Sequence, residues 1–92
     1  MKRWGNPYLI LQANGVTLFD AANHEERLLK PEELPEALAS LPGSAWPYGR
    51  VVAVTEAEVR AAGDDVSIRK NRGIVAGTME NLHVTINWVP SK

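Results

Sequence analysis

The chain has 92 residues, of which 45% are hydrophobic and 23% charged, so its length suits one domain and its composition a soluble globular protein. Ten Lys and Arg residues offset eleven Asp and Glu residues, which leaves no excess charge to attract nucleic acid or an anionic membrane. Cysteine is absent, which excludes disulfides and thiolate metal sites. No apolar run approaches the roughly 20 residues that span a bilayer. For the sequence as given, these features favour a cytoplasmic location without a targeting segment.

A strand hairpin begins the predicted fold. Residues 1–7 are expected to be a loose lead-in, followed by strands at about residues 8–13 and 16–20. The Asn14-Gly15 pair between them predicts a tight type I′ turn, because both residue types accept a positive φ. The chain is therefore expected to open with two antiparallel strands.

A polar connection over residues 21–30 is expected to lead from this hairpin to a helix. Leu28 and Leu29 either extend the second strand or anchor the connection in the core. Pro31 and the two glutamates after it are typical of a helix start, since proline is tolerated there and carboxylates suit the positive end of the helix dipole. The apolar positions of this helix recur at helical spacing: Leu34, Ala37, Leu38 and Leu41.

The second half of the chain begins with an apolar run. Residues 50–55 read RVVAVT, which predicts a strand covered on both faces. Residues 83–89 alternate apolar and polar side chains, which predicts a half-buried final strand.

The segment between these two strands has two interpretations. In the first, a helix starts near Asp64, with Asp65 or Asp64 as its N-cap, and buries one apolar stripe. The stripe consists of Ile68, Val75, Met79 and Leu82. Gly73 and Gly77 weaken the helix pattern. In the second interpretation, residues 67–69 pair with residues 74–76 as a hairpin that turns at residues 71–73. We prefer the helix.

Together these elements predict an α+β fold in one domain, residues 1–92. The predicted architecture is a small two-layer sandwich, with a single sheet, two helices on one face, and the order β-β-α-β-α-β. Nothing in this architecture specifies a chemical activity.

No complete catalytic set or metal site is recognisable in the sequence. The two histidines, His24 and His83, are far apart, and no nucleophile-elbow or phosphate-loop motif is present, so we expect no metal and no cofactor. One alternative is a small enzyme or accessory subunit that uses the loop around His24, where Asp20 and Glu25 or Glu26 could converge.

A loop with two aromatic residues is the favoured binding surface. Trp46, Tyr48 and Arg50 lie close together around Pro47, and these residue types dominate protein interfaces. The competing interpretation is that Trp46 and Tyr48 cover an open end of the small core. The two interpretations differ in whether Trp46 contributes to association or to stability.

A basic cluster on the predicted second helix is a further candidate. Arg69 and Arg72, with Lys70 between them and Arg50 and Arg60 as further candidate members, could bind an anion or an acidic partner. A solvated helix face explains the same pattern. Nucleic acid is not the expected partner, because the whole chain carries no positive excess.

The sequence resembles the soluble domain of the ExbD/TolR family of biopolymer transport proteins over about residues 8–89. The similar segments are LILQANGVTLFD, KPEELPEAL, RVVAVTE and the helix leading into LHVTINWVP. The resemblance implies a related sandwich that binds a partner and can dimerise, in the periplasm if this is an excised domain. The family's membrane-spanning helix and its acidic residue are not found here, and residues 21–30 form a longer connection. No transport activity and no site residue are therefore implied.

The leading functional hypothesis is a non-enzymatic protein-interaction or ligand-binding module. We expect its partner to be a protein, either a second copy in a homodimer or a different chain. The alternatives are the enzyme that uses the His24 loop and the anion or nucleic-acid binder that uses residues 69–72.

Overall fold

A computed structural model of the protein describes residues 5–20 and 25–89. Over these residues the chain forms five strands and two α-helices, with short 3-10 turns on either side of the first helix. They are, in chain order, β1 (Tyr8–Gln12), β2 (Gly15–Asp20), β3 (Glu25–Leu29), α1 (Leu34–Ala39), β4 (Val51–Glu56), α2 (Asp64–Asn81) and β5 (Thr85–Trp88).

The strands form one mixed sheet in the order β3-β2-β1-β4-β5. The first three strands form an antiparallel meander, whereas β4 runs parallel to both β1 and β5. Both helices pack on the same face, so the predicted α+β class and two-layer architecture are confirmed. No helix in the described part of the chain is long and apolar enough to cross a membrane.

The core lies between the two helices and one face of the sheet. Alternate residues of the interior strands point into it, as the period of two requires, and the apolar stripes of the helices meet them. The strand residues of the core are Leu9, Leu11, Val16, Leu18, Val52 and Val54, and the helix residues are Leu34, Ala37, Leu38, Ile68, Val75 and Met79. The apolar residues predicted for both helices are therefore buried, apart from Leu41 and Leu82, which are partly buried.

A third strand lies in the segment that the sequence indicates is a polar loop. β3 pairs antiparallel with β2: Asp20 lies opposite Glu25 at one end of the ladder, and Val16 lies opposite Leu29 at the other. Leu28 and Leu29 therefore belong to a separate strand and do not extend the second one. The prediction missed β3 because three of its five residues are charged. Charged side chains are tolerated, and even favoured, on an edge strand.

The hairpin between β1 and β2 is confirmed, but its predicted turn is wrong. Gln12 pairs directly with Gly15, so the turn residues are Ala13 and Asn14, and Asn14 does not have a positive φ. Gly15 is needed for a different reason. A Cβ there would lie 2.5 Å from the carbonyl oxygen of Leu29 in β3. The glycine therefore permits close contact between strands and does not form a type I′ turn.

Helix α2 is confirmed and the alternative hairpin is wrong. Its predicted N-caps are also wrong, because Gly63 takes the N-cap position in a left-handed conformation and no side chain caps the helix. The carboxylate of Asp64 instead accepts hydrogen bonds from the backbone N–H groups of Arg60 and Ala61. At the other end, His83 has a φ of 58° and ends the helix.

Strand β4 is interior and buried on both faces, which makes it sensitive to truncation. Val54 is fully buried, so Val54→Ala is expected to lower the free energy of unfolding by about 2–3 kcal/mol through lost burial and a cavity. Val66→Ala is a matched control, because Val66 is 64% exposed on α2 and should change stability by less than about 0.5 kcal/mol. Denaturant midpoints measure both. Equal shifts in the two variants would contradict the interior position of β4.

Candidate functional site

The loop after α1 is held in place by one buried side chain. Asn6 is fully buried, and its amide nitrogen donates hydrogen bonds to the carbonyl oxygens of Gly49 at 2.8 Å and Val51 at 2.7 Å. Its carbonyl oxygen accepts the backbone N–H of Tyr48 at 2.9 Å. We call residues 46–50 the aromatic loop. Three hydrogen bonds from one residue, about forty positions away in the chain, fix its backbone.

The position of Asn6 corrects the expectation of a loose N-terminal lead-in. Asn6 and Pro7 are both buried, and Pro7 continues directly into β1, so these residues are part of the packed structure. Residues 1–4 lie outside the described part of the chain. Sequence reasoning missed Asn6 because an asparagine before a proline usually indicates a turn.

Trp46 lies under the aromatic loop and is only 8% exposed. Its ring belongs to the hydrophobic core, and the guanidinium of Arg50 stacks over it at 4.5 Å from the ring centroid. The indole N–H is buried, and no hydrogen-bond partner for it is found among the described residues. Trp46 therefore packs as a covering residue of the core and supports Arg50 from below.

Tyr48 and Arg50 form the outer surface of the loop. Tyr48 is 46% exposed, and Arg50 is exposed apart from its contact with Trp46. No described carboxylate forms an ion pair with Arg50. The structure therefore brings the three predicted residues of the loop together, with Trp46 inside and the other two outside.

The basic cluster on α2 is only partly available for binding. The Arg72 guanidinium lies 3.1 Å from a carboxylate oxygen of Glu56 and stacks over the ring of Trp88 at 4.3 Å from its centroid. Arg69 and Lys70 are exposed on the outer side of the helix. The charge of Arg72 is thus already paired, although the pair is half exposed and contributes little to stability.

The His24 loop cannot be assessed as a site, because His24 lies outside the described residues. His83 is exposed at the end of α2. Among residues 5–20 and 25–89, no three His, Asp or Glu side chains converge as metal ligands.

An open groove of about 330 Å³ lies between β3 and α1. Arg27 faces a row of glutamates across it, and the lining includes Glu32, Glu33, Glu36 and Ser40. Small-molecule sites are usually enclosed and mostly apolar, so this groove does not have their character.

Comparisons of this chain with protein-family models, with curated proteins and with solved structures find no match. The resemblance to the ExbD/TolR soluble domain therefore stays a prediction.

Proposed function

We propose that this domain is a protein-interaction module whose aromatic loop contacts the partner through Tyr48 and Arg50. The observation that carries the proposal is the set of three hydrogen bonds from buried Asn6, which holds an exposed tyrosine and arginine on a fixed backbone. A surface that is ordered before binding loses less conformational entropy when the complex forms.

The chemistry of the loop suggests what it recognises. Stacking on Trp46 fixes the plane of the Arg50 guanidinium and leaves N–H groups at its edge. A carboxylate is the group that such an edge binds best, through two parallel hydrogen bonds. Tyr48 beside it offers an amphipathic ring for an apolar contact. The proposed partner is therefore a protein segment that carries a carboxylate next to an apolar side chain.

The alternative anion site on α2 has less support. Arg72 already pairs with Glu56, so only Arg69 and Lys70 remain as unpaired cations among the described residues of that face. Two solvated side chains on a helix bind an anion weakly, because water screens them.

Site-specific photo-crosslinking in cells tests the loop directly. Tyr48 is replaced by a photoreactive phenylalanine analogue, and we expect a discrete crosslinked protein that disappears in the additional Arg50→Gln variant. The matched control places the same analogue at Ile74, which is similarly exposed on α2. That control should give no discrete adduct.

Two results would contradict the proposed function. One is the absence of any adduct from position 48 under conditions where position 74 gives one. The other is an adduct from position 48 that persists unchanged when Arg50 is replaced, since the guanidinium is expected to contribute to recognition.

A further inference from the structure

The strand β5 forms one edge of the sheet, and no strand of the described residues pairs with its outer side. The backbone N–H groups of Thr85 and Val89 donate to carbonyl oxygens on the β4 side, at 2.9 and 2.8 Å. Backbone groups of successive residues in a strand point to opposite sides. Ile86 and Trp88 therefore direct both their N–H and their C=O groups away from the sheet.

The two edges of the sheet differ in how they are protected. On the other edge, β3, three of five residues are charged, whereas none of the four residues of β5 carries a charge. Charged side chains are one of the main means by which an edge strand avoids pairing with other strands. Thr85, Asn87 and Trp88 are exposed and Ile86 is half-buried, so the side chains of this edge are accessible. The β5 edge is therefore the one suited to receive a further strand.

The β5 strand can pair with itself in a register that uses all of these outward groups. A two-fold axis perpendicular to the sheet makes β5 antiparallel to β5 of a second copy, with the same face of each sheet on the same side. When the axis passes beside Asn87, Ile86 lies opposite Trp88 of the second copy, and this pair occurs twice. Each pair exchanges two backbone hydrogen bonds. No outward N–H or C=O group of Ile86 or Trp88 is then left without a partner.

The neighbouring registers leave such groups unpaired. An axis beside Ile86 places Trp88 opposite Val84, whose N–H already donates to the carbonyl oxygen of Met79 at 2.9 Å. An axis beside Trp88 places Ile86 opposite Pro90, and proline has no N–H. The register centred on Asn87 therefore satisfies more backbone groups than either neighbour.

The side chains of β5 also match in this register. On the helix side of the sheet, Ile86 meets the ring of Trp88, and aromatic residues paired with β-branched ones stabilise adjacent strands. On the opposite side, the two Asn87 amides meet at the axis, where each can donate and accept a hydrogen bond. Arg72, which stacks over Trp88, is already paired with Glu56. No like charges of β5 oppose each other in this arrangement.

We infer that the protein forms a two-fold homodimer by antiparallel pairing of the β5 edges, which joins the two sheets into one continuous ten-stranded sheet. A single pair of short strands makes an interface below the roughly 1,200 Å² at which stable complexes begin, so the dimer belongs to the weak, concentration-dependent class. The contact does not use Tyr48 or the Arg50 side chain, and it stands or falls independently of the proposed function.

Substitutions at the axis test the dimer, because Asn87 faces Asn87 of the second copy. Asn87→Lys and Asn87→Asp each bring two like charges together and are expected to weaken self-association at least about tenfold. An equal mixture of the two variants should associate again, since an ammonium group then meets a carboxylate. Asn14→Lys is the matched control, an exposed asparagine in the turn between β1 and β2, and it should leave association unchanged. Sedimentation velocity over about 5–500 μM measures all four samples and the wild-type protein.

Amide hydrogen exchange tests the register. At high protein concentration, exchange at Ile86 and Trp88 is expected to slow, because dimerisation pairs their N–H groups. Thr85 and Val89 already donate within the sheet, so their exchange should change less. Thermal melting of each variant at low concentration checks that the monomer fold is unchanged.

A wild-type protein that stays monomeric over the whole concentration range would overturn the inference and leave the β5 edge to a strand of another protein. A dimer that neither Asn87 variant weakens would place the interface elsewhere and would also overturn it. If both variants weaken association and their mixture does not restore it, the two-fold axis does not lie beside Asn87, and the proposed register is wrong.

Discussion

Replacing Trp46 with alanine is expected to lower the free energy of unfolding by about 3–5 kcal/mol, as truncations of large buried aromatic residues do. The ring is 8% exposed and belongs to the core, so its removal leaves a cavity that the small domain cannot fill without repacking. The stacked Arg50 side chain also loses its platform. Denaturant unfolding measures the stability loss, and sedimentation of the same variant measures association.

Trp46→Phe is the matched control for this prediction. It keeps an aromatic ring in the core and removes the indole N–H, which has no partner among the described residues. An unpaired buried donor costs about 1–3 kcal/mol, so removing it should offset much of the stability that is lost with the smaller ring. The net change in the free energy of unfolding is therefore expected to stay within about 1 kcal/mol. If Trp46→Ala instead left stability unchanged and abolished binding, Trp46 would be a contact residue and not a covering residue of the core.

Replacing Asn6 with alanine is expected to cost about 3–4 kcal/mol. Three hydrogen bonds are lost at about 1 kcal/mol each, and buried backbone groups that lose their partner add to the cost. The aromatic loop should loosen at the same time, so that amide hydrogen exchange at Tyr48 and Gly49 accelerates more than exchange in the interior strand β4. Denaturant midpoints and exchange rates measure the two effects.

Two further variants make the role of Asn6 specific. Asn6→Asp keeps the acceptor for the Tyr48 N–H but turns an oxygen towards two carbonyl oxygens, so it should be nearly as destabilising as alanine at neutral pH. Asn81→Ala, at the exposed end of α2, should change stability by less than about 0.5 kcal/mol. A similarly small effect of Asn6→Ala would show that the loop holds its shape without this residue.

Much of the fold could be predicted because hydrophobic periodicity is a local property. The valine-rich β4 run and the α2 stripe from Ile68 to Met79 both indicate their elements without reference to the rest of the chain. β3 gave no such signal, since an edge strand buries few side chains. The Asn14-Gly15 turn was misassigned because the close approach of Leu29, a distant residue, explains the glycine.

The candidate site was less predictable, because its organisation depends on contacts between distant residues. Composition alone identified the aromatic loop as a concentration of Trp46, Tyr48 and Arg50. It could not show which of the three is buried. The hydrogen bonds from Asn6 join residues about forty positions apart, and no local pattern in the sequence reports such a pairing.

The central place of β1 in the sheet has a consequence for how the chain acquires its structure. β1 can pair with β2 as soon as the first twenty residues are available, but its other neighbour, β4, lies in the second half of the chain, where Leu9 meets Val54. Loop closure over such a distance slows folding, and parallel pairing cannot begin from a hairpin. On the ribosome, the early meander would therefore have only α1 to cover its apolar side until β4 and α2 emerge, and in that interval the nascent chain is most prone to aggregation.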